Sequence, residues 1–225
     1  DHPDRSVRTT VAMALAGAKD PESIPALLHL LQDQDRSLQI QGYAQRGLAA
    51  MPEQSFDPLV GLLGSPDPVA RRAAVYGLAG LGSARTVPHL LAALRDPDSG
   101  VRFRAVRTLR RHAATPGVAD ALLAALDDES AAVTRAAAKA LGQVGDRRAV
   151  DPLLALLNDE SAGVMGAAAT ALGQLGDRRA VRPLLALLHG DRVSQGVVLV
   201  ALAELGEGKA LEPAIQALGH ESSHT

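Results

Sequence analysis

The chain has 225 residues, net charge −2, no cysteine, and only 2% aromatic residues. Disulfides, thiolate metal sites and cysteine nucleophiles are therefore excluded, and no global charge draws the molecule to nucleic acid or an anionic membrane. The apolar share, 47%, comes mostly from Ala, Leu and Val, a composition suited to packed helices. No apolar run approaches the ~18 residues a membrane span needs, so no membrane insertion is expected. The missing cysteines fit a reducing cytosol, and a cytoplasmic location is expected. The opening residues, DHPDRSV, carry neither an initiator Met nor a signal pattern; they read as the edge of a segment excised from something longer.

One pattern recurs along the chain. Residues 130–157, SAAVTRAAAKALGQVGDRRAVDPLLALL, return 31 residues later as residues 161–188, SAGVMGAAATALGQLGDRRAVRPLLALL. A leucine column runs through Leu15, Leu48, Leu78, Leu109, Leu141, Leu172 and Leu202. A second column, just before a Leu-Leu or Leu-Val pair, runs through Ala26, Pro58, His89, Ala121, Pro152 and Pro183, ending at Pro213 before Ala-Ile. A period of this size marks stacked supersecondary units that contact only their neighbours.

Each unit predicts two helices. Helix B holds the leucine column; in the clearest copy Val133, Ala136, Ala137, Ala140, Leu141 and Val144 form one apolar stripe at spacings of 3 and 4. Helix A follows with Val150, Leu153, Leu154 and Leu157. In chain order, Asp4, Ser37, Asp67, Asp98, Ser130, Ser161 and Asp191 stand where helix B should begin, all residue types that cap free N–H groups. Helix A is preceded by Asp20, Ser83, Thr115, Asp146 and Asp177, with Pro52 and Glu207 as exceptions. Pro152, Pro183 and Pro213 fall about six residues after these caps, where a regular helix would clash. A short 3₁₀ turn before helix A resolves the conflict; a kinked helix A is the alternative. Glycines after helix B allow a sharp turn. The array predicts 14 helices from about residue 4 to 218, beginning and ending in half units. Residues 1–219 form a single array on this reading, and residues 220–225 a polar, disordered tail.

The stretches ARRAAVYGLAGLG (70–82), TRAAAKALGQVGDRRAVDPLLALL (134–157) and MGAAATALGQLGDRRAVRPLLALL (165–188) resemble HEAT repeats of the phycobilisome-lyase-like type. The resemblance covers roughly residues 4–218. It implies an all-α fold, an α-solenoid of about seven two-helix repeats wound as a right-handed superhelix, with helices B lining the concave face. Such repeats occur in scaffolds, chaperone-like lyases and many bacterial proteins.

Function is sought where units differ on the exposed side of helix B, taken as three rows. One row is Thr9, Gly42, Arg72, Phe103, Arg135, Gly166 and Gly196; the next is Met13, Arg46, Tyr76, Arg107, Lys139, Thr170 and Val200. The third is Ala16, Ala49, Ala79, Arg110, Gly142, Gly173 and Ala203. Arg72, Arg107, Arg110, Arg135 and Lys139 are expected along one groove, with Arg46 at its edge. The fourth helix B, VRFRAVRTLRRH, adds Arg111. Tyr43, Tyr76 and Phe103, three of the four aromatics, share these helices. Arginine beside Tyr or Phe is the composition of binding hot spots, and the groove would suit an acidic or phosphorylated protein segment. The residues expected to bind are Arg46, Arg72, Tyr76, Phe103, Arg107, Arg110, Arg111, Arg135 and Lys139. Arg8, Arg71 and Arg102 belong to the repeat consensus and are expected to be structural instead.

Nucleic-acid binding through the same groove, and a bilin-lyase-like activity suggested by the resemblance, are the alternative functions; flanking domains of the same chain are a further partner. The run VVLVAL (197–202) exceeds what one buried stripe needs and reads as a face for a missing neighbour or a hydrophobic partner. The histidines are scattered: His2, His220 and His224 in the tails, His29, His89 and His189 on different helices A, His112 ending a helix B. None pairs at metal spacing. Asp127, Asp128, Glu129, Asp159 and Glu160 read as solvated turn positions. No enzyme activity, no metal and no cofactor is expected.

Overall fold

The computed structural model describes residues 3–33, 38–188 and 193–206. Among them all regular structure is helical. The chain divides into two compact units, Asp1–His112 and Ala113–Thr225. The first contains α1 (Arg5–Ala18), α2 (Ile24–Leu31), α3 (Leu38–Ala49), α4 (Pro52–Leu62), α5 (Pro68–Leu81), α6 (Val87–Ala93) and α7 (Ser99–Leu109). The second contains α8 (Val118–Ala124), α9 (Ala131–Val144), α10 (Val150–Leu156), α11 (Ala162–Leu175), α12 (Val181–Leu188) and α13 (Gln195–Glu204). Odd-numbered helices are helix B and even-numbered ones helix A, so the chain is an α-solenoid. Thirteen of the 14 expected helices lie among the described residues; the last, with Glu207, Pro213 and the 220–225 tail, lies outside them, as do Ser37, Asp191 and His189.

The leucine column and the leucine that follows each second-column residue form the core, while Ala26, Pro58, His89, Ala121, Pro152 and Pro183 of the second column itself stay outside it and Leu15 is half-buried. Leu48, Leu78, Leu109, Leu141, Leu172 and Leu202 are fully buried, and so are Leu27, Leu59, Leu90, Leu122, Leu153 and Leu184 on the helices A. Each contributes roughly 1.5–3 kcal/mol by leaving water. With so few aromatics, this repetition of one leucine per helix replaces the large rings of an ordinary core.

Helix starts follow the cap residues in the first unit. Carboxylates of Asp4, Asp67 and Asp98 accept from the N–H groups of Ser6, Val69 and Val101. Ser130 and Ser161 make no such side-chain bond. Their own N–H groups instead donate to Asp128 and Asp159, at 2.8 and 2.7 Å. These two aspartates, expected as solvated turn residues, are thus part of the helix entry. The helix expected to follow Asp191 begins later, at Gln195, with Ser194 at its cap. Ahead of helix A, Asp20, Ser83, Asp146 and Asp177 all accept from an N–H two residues on. Thr115 does not cap α8; Gly117, in the left-handed region at φ 82°, stands there.

The prolines behave in two ways. Short 3₁₀ turns, Arg147–Ala149 and Arg178–Ala180, precede α10 and α12, so Pro152 and Pro183 fall in a first helical turn that needs no N–H from them. Pro58 lies inside α4, which runs unbroken from Pro52. In that helix the hydroxyl of Ser55 is fully buried and meets no hydrogen-bond partner among the described residues. A buried hydroxyl left unpaired costs stability, so Ser55→Ala should raise it by about 1 kcal/mol, readable as a higher urea midpoint at unchanged slope.

Consecutive helices B touch through very small residues. A Cβ at Gly47 would lie 2.9 Å from the Ala16 Cα, one at Gly142 2.7 Å from the Ala171 Cα, and one at Gly173 2.8 Å from the Ala201 Cα. Gly142 and Gly173 are therefore buried, not exposed as their row predicted. The reason is that this row faces the next helix B at close range.

Candidate interaction surface

Among the arginines, structural and exposed ones separate cleanly. Arg71 forms two hydrogen bonds to Asp96, of 2.7 and 2.8 Å, and donates to the Ser65 and Pro66 carbonyls. Arg8 reaches Asp33 at 2.9 Å. Arg102 is buried and donates to the Asp96 and Pro97 carbonyls. Thr134, one repeat on, makes the same bond to the carbonyl six residues back, that of Asp128. These side chains tie helix B to the loop before it and, through Asp33 and Asp96, to the corresponding loop one repeat on, as expected of the consensus arginines.

Arg72, expected among the binding residues, is drawn to the next repeat. Its guanidinium makes a two-pronged contact with Asp98, both bonds 2.7 Å. The same carboxylate caps α7. Row position alone hid this, because the partner sits 26 residues away in sequence. In the second unit Arg148 bridges Asp146 and Asp120, and Arg179 bridges Asp177 and Asp151, each at 2.7 Å to the farther partner.

These pairs leave a mark on acid stability. Burial pushes the Asp96 carboxyl up, but hydrogen bonds from Arg71 and the Asp98 N–H outweigh it and hold its pKa below the usual range. Arg72, with the Val101 N–H, does the same for Asp98 against a smaller effect of burial. A depressed folded pKa means that the unfolded chain binds more protons in acid. The stabilisation is complete above the unfolded value of about 4 and is lost as pH falls toward the folded value. Helical circular dichroism followed below pH 4 should show unfolding, and Asp96→Asn with Asp98→Asn should flatten that pH dependence.

The first unit also carries a series of arginine–aromatic pairs on three successive helices B, with Tyr43, Tyr76, Phe103 and Arg104 half-buried. Arg46 lies over the Tyr43 ring at 4.5 Å on α3, and Arg107 over Phe103 at 5.6 Å on α7. Between them Arg104 of α7 lies over Tyr76 of α5 at 5.2 Å. Gln45 of α3 donates to the Tyr76 carbonyl, tying α3 to α5. Arg46 and Arg107 are exposed, and among the described residues neither has a carboxylate partner. Each ring contact contributes about 0.5–1 kcal/mol and leaves the guanidinium N–H groups turned to solvent. Arg110 and Arg111 are also exposed, in a 3₁₀ turn where the first unit ends. In the second unit Arg135 and Lys139 stand one turn apart on α9, both exposed.

Two features escaped the sequence. Arg104 pairs with a ring on the neighbouring helix, at a separation of 28 residues. On the helix A side, Arg85 lies 4.3 Å over Phe56, whose ring meets His89 edge-on at 5.6 Å, and Arg85 bonds Glu53. All four aromatic rings of the chain thus carry an arginine. The usable signal was the scarcity of aromatics itself: each ring had an arginine three or four residues on, or about one repeat away.

Among the described residues no group of three His, Asp or Glu could hold a metal ion, and no helix is long and apolar enough to cross a membrane. Residues 34–110, 56–139 and 119–198 match the profile of HEAT repeats, and residues 7–33 that of the PBS lyase HEAT-like repeat. No curated protein matches the chain in sequence. Among solved structures, YibA of E. coli is 20% identical with a TM-score of 0.61, covering 92% of this chain and 78% of its own. The complex of CpcE and CpcF of phycocyanin lyase from a Nostoc species is 28% identical, TM-score 0.52, over 68% of this chain and 98% of that one. A designed armadillo repeat protein in complex with the peptide (KR)4 is 21% identical, TM-score 0.55, over 81% and 99%.

Proposed function

Because the chain belongs to the HEAT-repeat family, a fold that commonly mediates protein interaction, we propose that it is a non-catalytic adaptor whose helix B face holds an acidic or phosphorylated segment of a protein partner. The observation that carries this reading is the set of exposed guanidinium groups, Arg46 and Arg107, held on aromatic rings with no carboxylate partner among the described residues. Rings that fix the guanidinium planes reduce the ordering cost of binding, and a planar fork suits carboxylate or phosphate oxygens. Arg104 and Tyr76 complete the first unit's surface, and Arg110 and Arg111 extend it. On the second unit Arg135 and Lys139 are the corresponding cations. Arg72 is spoken for by Asp98, so it takes a supporting part. The designed armadillo neighbour carries a basic peptide; here the exposed side chains are cationic, and the complementary ligand reverses sign.

The test is fluorescence anisotropy with a labelled peptide of alternating Glu and Ser, its phosphoserine form, and a Lys-Ser control. The acidic forms should bind and the control should not. Equal binding of all three, or of none, overturns the reading. Duplex DNA in the same assay should show no steep salt-dependent affinity, in keeping with the net charge of −2. The likeness to the phycocyanin lyase complex supports a second reading, lyase-like activity; a bilin adduct formed on an acceptor protein in the presence of this chain would favour it.

A further inference from the structure

One row on the helices B of the first unit alternates cation, ring and cation. Six residues after Ile40, Ala70 and Val101 stand Arg46 on α3, Tyr76 on α5 and Arg107 on α7. All three belong to one compact unit. Lateral contacts hold them in register: Gln45 donates to the Tyr76 carbonyl, and Arg104 lies over the Tyr76 ring at 5.2 Å. The pitch of the row follows from what stands between the helices. Packed helices lie about 8–10 Å apart, depending on the side chains at the contact. A Cβ on Gly80 of α5 would strike the Gln45 side chain of α3, and one on Gly100 of α7 the Arg72 side chain of α5. Side chains separate these helices, whereas backbone meets the corresponding Cβ between α9 and α11 at Gly142. Each step is therefore ~10 Å, and the row from Arg46 to Arg107 spans ~20 Å.

That pitch selects a ligand conformation. A polyproline II segment turns once every three residues at about 3.1 Å each, so its repeat is ~9.3 Å. Residues i, i+3 and i+6 of such a segment share one face and meet the three places in turn. In a β-strand residue i+3 points the opposite way and misses Tyr76. An α-helix satisfies its own carbonyls and docks through an apolar stripe. Among the described residues no large hydrophobic side chain is exposed on α3 or α7, and on α5 only Val69 in the first turn. A polyproline II backbone keeps its carbonyls free. The Tyr76 hydroxyl, which has no hydrogen-bond partner among the described residues, can donate to one of them.

We infer that the segment held on the first unit is an acidic polyproline II stretch, with acidic side chains six residues apart and a proline midway. The inference rests on the acidic-segment reading above and adds its conformation and spacing. Charge complementarity at Arg46 and Arg107 selects the two acids. The half-buried Tyr76 ring between them offers a flat edge to the proline and a donor to the backbone beside it.

Proline-rich nonapeptides carrying two glutamates, identical in composition, test this by fluorescence anisotropy. Glutamates six residues apart should bind at least about fivefold tighter than isomers with them four or five apart, whose second carboxylate turns to another face. Replacing the prolines by glycine at the six-residue spacing should lose most of that gain, because the stretch is no longer pre-ordered. Tyr76→Phe should weaken the six-spaced peptide by about threefold to fivefold, the loss of one hydrogen bond, with the unfolding midpoint unchanged. Equal affinity for all spacings, tighter binding of an alanine-rich helical peptide with the same two glutamates, or full affinity in Tyr76→Phe overturns the inference. In each of those cases the acidic-segment reading stands as long as the Glu-Ser peptide binds. Failure of every acidic peptide overturns both.

Discussion

Gly142→Leu is expected to lower the stability of the second unit by about 3 kcal/mol, the upper range for forcing extra methylenes into a packed interior. A Cβ at this position lies 2.7 Å from the Ala171 Cα and 2.8 Å from the Ala171 Cβ. The obstacle is largely backbone, so no rotamer change relieves it, and α9 and α11 must move apart. That separation opens the contact between the two helices along their length. A gain in helix propensity of about 1 kcal/mol over glycine offsets part of the cost. Gly17→Ala supplies the control, since nothing lies within 4 Å of a Cβ there. That variant should raise stability by up to about 1 kcal/mol. Urea unfolding with far-ultraviolet dichroism reads both, and a Gly142→Leu variant as stable as the wild type would mean that α9 and α11 are not in close register.

Reversing the two ring-held cations, Arg46→Glu with Arg107→Glu, should weaken binding of the acidic peptide at least tenfold while helical content stays the same and the unfolding midpoint falls only by what the two ring contacts contribute. Both guanidinium groups are exposed and pair with no carboxylate among the described residues, so the described fold loses two surface ring contacts. Binding loses two attractive partners and gains two repulsive ones, which acts on affinity and on partner choice alike. Arg71→Glu behaves differently. Its partners, Asp96 and the Ser65 and Pro66 carbonyls, belong to the fold, so the unfolding midpoint should drop. Added salt should weaken the wild-type complex and leave the reversed variant nearly flat, since the contacts are solvent-facing. Unchanged affinity for the Arg46 and Arg107 variant would put the binding surface elsewhere.

The arginines also show how far the sequence reached. Arg8, Arg71 and Arg102 were legible as structural because they recur at one repeat position, and the structure gives them loop carbonyls and aspartates as partners. Arg72 and Arg104 were not legible in the same way. Each is settled by a residue about one repeat away, Asp98 for the first and Tyr76 for the second. Contacts at that range depend on how closely two helices B approach. The caps divide similarly: Asp4, Asp67 and Asp98 act as their position predicts, while Ser130 and Ser161 make no side-chain cap bond and are themselves held through their N–H groups by Asp128 and Asp159.

The sequence by itself determined the repeat, the alternation of helices A and B, the leucine column of the core and the 3₁₀ turns ahead of Pro152 and Pro183. All of these follow from local rules: 3.6-residue periodicity, capping chemistry and the missing N–H of proline. Tertiary structure alone decided which exposed-looking positions are truly open. Gly142 and Gly173 are buried because the next helix B presses on them, whereas Val11 is exposed at a place that later helices B bury. Small or apolar residues stand at those places in all the repeats but the fourth, which has Arg110 in the row of Gly142. Only the neighbouring helix, one period away, fixes whether each is core or surface.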